Sequence, residues 1–126
     1  MRSSILLCLL LAIPAFAAKS KTKDIMVETK NISYKDGATE LDGYLSRNPK
    51  ATETQSAVLI VHDWMGNGGF TKEKAELLAQ MGYVGFAVDI YGKGVRPKDA
   101  AEAGKLAGDY KEHRDKIRSR IKAAYD

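Results

Sequence analysis

The sequence predicts an α/β fold built on a partly parallel sheet, and three observations carry that prediction. Two aliphatic runs, Ala57 to Val61 and Tyr83 to Ile90, have the length and unbroken hydrophobicity of strands covered by helices on both faces. Between them lies a helical stretch that Gly82 closes in the left-handed stop position. Ahead of them, two polar-apolar alternating runs flank Asp36-Gly37, a strong hairpin signal because both residues tolerate positive φ.

The elements follow in order. Residues 1–18 carry Arg2, an apolar run from Ile5 to Ile13, Pro14 and the small-x-small site Ala15-Phe16-Ala17, the layout of a secretory signal peptide with cleavage near Ala17 or Ala18. The run is too short to span a bilayer, so no stable membrane insertion is expected after cleavage. Cleavage removes Cys8, the only cysteine, and with it any disulfide or thiol nucleophile. The expected location is secreted or periplasmic. Residues 19–126 then form one α/β domain or part of one. The hairpin spans Ile25 to Arg47, and a polar surface loop occupies residues 48–55.

After the strand at Ala57 to Val61 comes a glycine-rich loop, His62 to Gly69. Thr71 is the expected cap of the next helix, whose residues Phe70, Leu77, Leu78 and Met81 share one apolar side. Beyond the loop "YGKGVRPK", two helices are expected near residues 100–107 and 109–125. Asp99 with Glu102 and Asp109 with Glu112 read as capping boxes, with Gly104 and Gly108 weakening the stretch between them. In the second helix Tyr110, Ile117, Ile121 and Ala124 make an apolar stripe. Lys111, Arg114, Lys116, Arg118, Arg120 and Lys122 crowd its wet sides, with the pairs Lys111/Asp115 and Glu112/Lys116 in support.

The formal charge of +4 falls to +3 when Arg2 is lost. The excess comes largely from Lys19, Lys21 and Lys23 and from the C-terminal helix, which a solvated face explains better than a nucleic-acid footprint.

In open α/β sheets ligands bind beyond the carboxyl ends of the strands, which here means the loops His62–Gly69 and Tyr91–Lys98. Gly66, Gly68 and Gly69 lack both the Walker Lys-Ser/Thr and dinucleotide spacing. His62 and Asp63 make a poor metal pair, because adjacent strand residues point to opposite faces and His113 is the only other imidazole. No metal or cofactor is expected. His62 closes a strand without a nearby nucleophile, which favours a hydrogen-bonded rim histidine over a catalytic base. Asp89 suits ordering of the following turn better than proton transfer.

The stretch "VLIVHDWMGNGGFTKEKAELLAQMGYVGFAVDIYGKG", residues 58–94, resembles the N-terminal half of the dienelactone hydrolase family of α/β-hydrolases. The hairpin before it and the helices after it fall in the family's order, so the resemblance implies the N-terminal part of an α/β-hydrolase fold with an incomplete sheet. It implies that the Trp64 backbone N–H is an oxyanion-hole donor. It also implies that Asp63, where the family usually has Glu, is the carboxylate that orders the site. The second motif, Asp89-Ile90-Tyr91-Gly92-Lys93, places Lys93 at a basic position that contacts a substrate carboxylate, with Tyr91 and His62 as further substrate contacts. Lys93 lacks the bidentate fork of the Arg found in the type enzyme.

The family's Gly-x-[Cys/Ser]-x-Gly elbow does not occur in these 126 residues. The expectation is therefore a truncated hydrolase of small ester or lactone bonds, inactive alone, whose missing C-terminal half or self-association covers the open sheet. The alternative is a non-catalytic exported binding module that reuses the same loops.

Overall fold

The computed structural model describes residues 25–126, so the expected signal peptide lies outside the described residues. Seven elements follow one another: β1 (Glu28–Asp36), β2 (Thr39–Arg47), β3 (Ala57–Val61), α1 (Gly69–Gln80), β4 (Val84–Val88), α2 (Ala100–Glu112) and α3 (Arg114–Tyr125). The four strands form one sheet in the order β1-β2-β4-β3. The hairpin strands pair antiparallel and β2 continues antiparallel onto β4, whereas β3 and β4 pair in parallel with Leu59 opposite Phe86. The mixed α/β class and the parallel strand-helix-strand unit are thus as the sequence predicts.

The hairpin turn sits one residue later than the Asp-Gly signal suggests. Asp36 pairs with Thr39, leaving Gly37 and Ala38 as the two loop residues. Gly37 has φ +59°, and no non-glycine residue takes a positive φ among the described residues. A glycine at the first of two loop positions matches the twist of a two-residue hairpin.

Period-two alternation sorts the sheet's side chains onto two faces. Leu59, Phe86 and Val88 point toward α2 and α3, where a core forms from Val88, Ile90, Tyr91 and Tyr110 with Leu106, Ile117, Ile121 and Ala124 packed against it. This is the apolar stripe expected of the last helices. On the other face Gly85 lies against α1: a Cβ added there would come within 2.4 Å of the Ala75 carbonyl oxygen.

That close approach corrects the expected apolar side of α1. Its buried residues are Thr71, Ala75 and Ala79, while Phe70, Leu77 and Met81 are exposed. Small side chains face the sheet because the helix backbone comes too close for large ones. Thr71 is correspondingly not the cap. The helix starts from Gly68 without a side-chain cap bond, and Thr71 is buried in its first turn. Gly82 does take the left-handed position after the helix, at φ +94°.

The C-terminal helices break at His113, whose backbone leaves helical geometry at φ −110° and ψ 61°, and not between Gly104 and Gly108. Asp99 caps α2 by accepting from the Glu102 N–H at 2.9 Å, and Glu102 reaches back to the Lys98 N–H at 2.9 Å. Asp109 does not repeat this box. It lies inside α2 and its carboxylate meets His113 and Lys116 instead. Arg120 is not on the wet side: it is buried, 3.0 Å from Asp36 Oδ2 and donating to Thr39 Oγ1 at 3.3 Å.

In place of a strand covered on both faces, β3 stands at the sheet edge among the described residues, with Ala57 and Val61 exposed and the three residues between them half-buried. No helix among the described residues is long and apolar enough to cross a membrane.

Candidate functional site

Two loops meet at the carboxyl ends of β3 and β4, and backbone polar groups that leave the sheet there must find new partners. The first loop, 62–68, turns back on itself: the Asp63 carbonyl accepts from the Gly66 N–H at 3.2 Å, and the Asp63 carboxylate accepts from the Met65 N–H at 2.8 Å. Gly66 closes this turn at φ +88°, a backbone conformation that favours glycine. Asp63 therefore shapes the loop with both its backbone and its side chain. The Trp64 side chain stays half exposed, and its backbone N–H donates to no acceptor among the described residues.

The second loop is organised by Asp89, which is completely buried. Its Oδ2 accepts from the Asp42 N–H and its Oδ1 from the Gly92 N–H, both at 3.1 Å, while Arg96 Nη1 lies 3.8 Å away. Three partners, one on β2 and two in the second loop itself, explain how a carboxylate is held in the interior. Tyr34 of β1 completes the frame, its hydroxyl accepting from the Asp89 N–H at 3.1 Å and donating to the Asp89 carbonyl at 3.4 Å.

Asn67, a buried residue of the first loop, donates to the carbonyls of Asp42 and Ala87 at 3.0 and 3.3 Å. Neither Asn67 nor Tyr34 stands out in the sequence. Their importance rests on backbone groups brought in by the tertiary fold. Arg96 carries a readable signal, a cation seven residues after a buried acid, but its partner is visible only once the loop is folded.

His62 and Tyr91 tie the two loops together. His62 Nε2 accepts from the Ile90 N–H at 3.2 Å, so the ring proton sits on Nδ1, which donates to the Asp63 carbonyl at 2.6 Å. The imidazole edge packs on the Tyr91 ring with centroids 4.6 Å apart. The Tyr91 hydroxyl donates to the Trp64 carbonyl at 3.1 Å, and its own carbonyl accepts from the Tyr110 hydroxyl at 3.2 Å. Burial raises the Tyr91 hydroxyl's pKa, so it remains a protonated donor at neutral pH.

Burial also lowers the His62 pKa, outweighing the bond to the Asp63 carbonyl and the nearby Asp89 and Asp63 charges that favour the cation. Below its ordinary value near 6.5 the unfolded chain then binds the proton more readily than the folded one. The stability this contributes is complete above that value and is lost as pH falls through the folded pKa. Thermal unfolding should accordingly show a melting temperature that declines between pH 7.5 and 5, with a smaller decline in His62→Phe; an equal slope in both proteins would exclude His62 as the source.

His62, Asp63, Trp64 and Tyr91 line a cavity of about 360 Å³, bounded also by Val61, Ile90, Tyr110 and Ile117, with Lys111 and Arg114 at its margin. Its apolar floor with few polar groups is the usual character of a small-molecule site. Lys93 lies apart from this wall: its N–H donates to the Glu40 carbonyl at 2.9 Å and its Nζ is 3.7 Å from Glu40 Oε2. Among the described residues no group of three or more His, Cys, Asp or Glu side chains could hold a metal.

An amide N–H free of acceptors, beside a cavity at a strand end, can stabilise negative charge that develops on a bound carbonyl oxygen. Nothing in the described residues supplies an attacking group next to it.

The sequence profile of the dienelactone hydrolase family matches residues 41–126. The structure is similar to the solved protein m3DLH, at 25% identity and a TM-score of 0.75, over 79% of this chain and 42% of that one. It is also similar to a dienelactone hydrolase-like promiscuous phosphotriesterase from metagenomic libraries, at 26% identity and a TM-score of 0.71, over 78% of this chain and 41% of that one. The chain therefore spans about two fifths of the length of these solved proteins. No curated protein matches the sequence.

Proposed function

The chain belongs to the dienelactone hydrolase family, and from that premise we propose that it is the oxyanion-side part of a hydrolase acting on small ester or lactone bonds. One observation carries the reading. At the end of β3, where hydrolases of this architecture place an oxyanion donor, the Trp64 N–H is without an acceptor among the described residues while the N–H groups of Met65 and Gly66 that follow it are both bound to Asp63. A donor kept unpaired at a cavity is available for charge that appears only in the tetrahedral transition state.

In this reading Asp63 keeps the loop in register through its bond to the Met65 N–H. His62 and Tyr91 form the substrate-facing wall. The nucleophile comes from an elbow that lies outside these 126 residues. Its attack on the ester carbonyl forms a covalent acyl-enzyme and releases the alcohol; water then attacks the acyl group and frees the acid. No metal or cofactor is required for these steps. Export across a membrane, read from residues 1–18, belongs to the same proposal.

The test is to assay two products on p-nitrophenyl acetate and on a small lactone: the 126-residue chain, and the product of reading the gene onward from codon 126. Loss of a triad nucleophile removes about six orders of magnitude of turnover, so the short chain should hydrolyse neither. A longer product carrying Gly-x-Cys/Ser-x-Gly should hydrolyse at least one. Turnover by the short chain that is lost in Asp63→Ala would overturn the division of the site. A stop codon at position 127, with a soluble and cooperatively folding product, would favour a binding module.

A further inference from the structure

The peptide group joining Asp63 to Trp64 is hydrogen-bonded on one side only. Its carbonyl oxygen takes two donors, His62 Nδ1 at 2.6 Å and the Gly66 N–H at 3.2 Å, whereas its N–H, the Trp64 amide, has no acceptor among the described residues. The described chain has no cis peptide bond, so this carbonyl and N–H point in opposite directions from one rigid plane. Whatever aims the carbonyl also aims the N–H. Donation into a carbonyl further polarises its amide and strengthens the N–H as a donor, by about 10–30% per bond in condensed-phase estimates.

We infer that His62 is a positioning residue, which aims and polarises the Trp64 N–H through the Asp63 carbonyl; its value for catalysis rests on the reading of that amide as the oxyanion donor. The tautomer this needs is set from the far side of the ring. The Ile90 N–H can only donate, so Nε2 must accept and the proton must stand on Nδ1. Ile90 lies two residues past β4, so the end of one strand specifies the donor geometry at the end of its neighbour. Tyr91 holds the ring edge and, through its hydroxyl on the Trp64 carbonyl, fixes the next peptide as well.

The inference explains why an imidazole at a candidate active site has both nitrogens engaged with backbone groups. A histidine serving as a general base would need one nitrogen open toward the substrate. Here neither is open, and the ring's effect reaches the cavity by way of a peptide.

The experiment is ¹H–¹⁵N NMR on the 126-residue chain, with His62→Phe and His62→Asn compared to the parent. In the parent, the long-range imidazole spectrum of His62 should show a protonated Nδ1 and an unprotonated Nε2. His62→Phe removes both ring bonds, so the Trp64 and Ile90 amide resonances should both move upfield. Asn places an amide NH₂ near the position of Nδ1 but offers nothing in place of Nε2. His62→Asn should therefore restore the Trp64 resonance and leave that of Ile90 shifted, a split that general loosening of the loop would not produce.

A protonated Nε2 in the parent, or a Trp64 amide unmoved in His62→Phe, would overturn the inference, as would Trp64 and Ile90 shifting together in His62→Asn. These readouts contain no hydrolysis. Failure of the oxyanion reading would show itself separately, as an absence of turnover in the longer product.

Discussion

Replacing Asp89 by alanine is expected to cost about 3–5 kcal/mol of folding stability, most of it from backbone donors left without an acceptor in the interior. The carboxylate is completely buried and ties the second loop to β2. Its loss orphans the Asp42 N–H in β2 and the Gly92 N–H in the second loop, and it leaves the Arg96 guanidinium beside an empty space. An unsatisfied buried donor costs about 1–3 kcal/mol, so the two amides alone account for much of the total. Asp89→Asn keeps one acceptor oxygen but turns an NH₂ toward the other donor, and should fall between. Urea denaturation at neutral pH measures both, and a loss below about 1 kcal/mol in Asp89→Ala would mean that water readily replaces the carboxylate.

The second large effect is expected at Gly85→Ala, which should destabilise by about 3 kcal/mol or more, the upper end for overpacking a core. The added Cβ would stand 2.4 Å from the Ala75 carbonyl oxygen and 2.7 Å from its Cα, so only a shift of the whole α1 backbone makes room. Gly43→Ala provides a graded comparison. Its Cβ would meet the tip of the Phe86 ring at 2.2 Å, and a side chain can swing where a helix cannot. Gly104→Ala should have the opposite sign, because that position inside α2 has open space around it, and alanine is favoured there by about 1 kcal/mol. Equal losses at Gly85 and Gly43 in guanidinium denaturation would argue against backbone contact as the deciding difference.

The close contact at Gly85 also shows why α1 is hard to read from the sequence. Hydrophobicity marks Phe70, Leu77, Leu78 and Met81, and in most helices the large apolar residues face the core. Here the spacing between helix and sheet is set by a glycine on the strand, so the buried positions are Thr71, Ala75 and Ala79. The small residues are legible as letters, but their meaning depends on the strand they meet. A similar limit applies at His113. Two glycines look like the weak point of the C-terminal helices, yet Gly104 and Gly108 remain helical, and the chain turns where β1, β3 and β4 pull α3 into contact.

Strands and loops are more transparent. The aliphatic block Ala57 to Val61 and the Asp-Gly hairpin announce themselves through local pattern, which the sheet then preserves. At the site, the loop that carries His62, Asp63 and Trp64 is found at the strand end where its composition points, and Tyr91 joins it at one cavity. Lys93 falls elsewhere because Glu40, on the neighbouring hairpin, offers it both a carbonyl and a carboxylate. No pattern within the Asp-Ile-Tyr-Gly-Lys motif signals a partner more than fifty residues earlier.

The anchoring of the hairpin has a consequence for the order of events in a growing chain. β1 and β2 are the first described strands to be synthesised, and their mutual pairing needs only a two-residue turn, a microsecond process. Their attachments to the rest come much later: Asp42 waits for Asp89, Tyr34 for the same loop, and Asp36 for Ser119 and Arg120. The bond from Ser119 alone spans 83 residues, roughly 4–17 s of translation at about 5–20 residues per second. An isolated two-stranded hairpin is only marginally stable for such a time. The oldest part of the domain is thus the last to become permanent, and an incident at the final turns of α3 is felt at the hairpin made first.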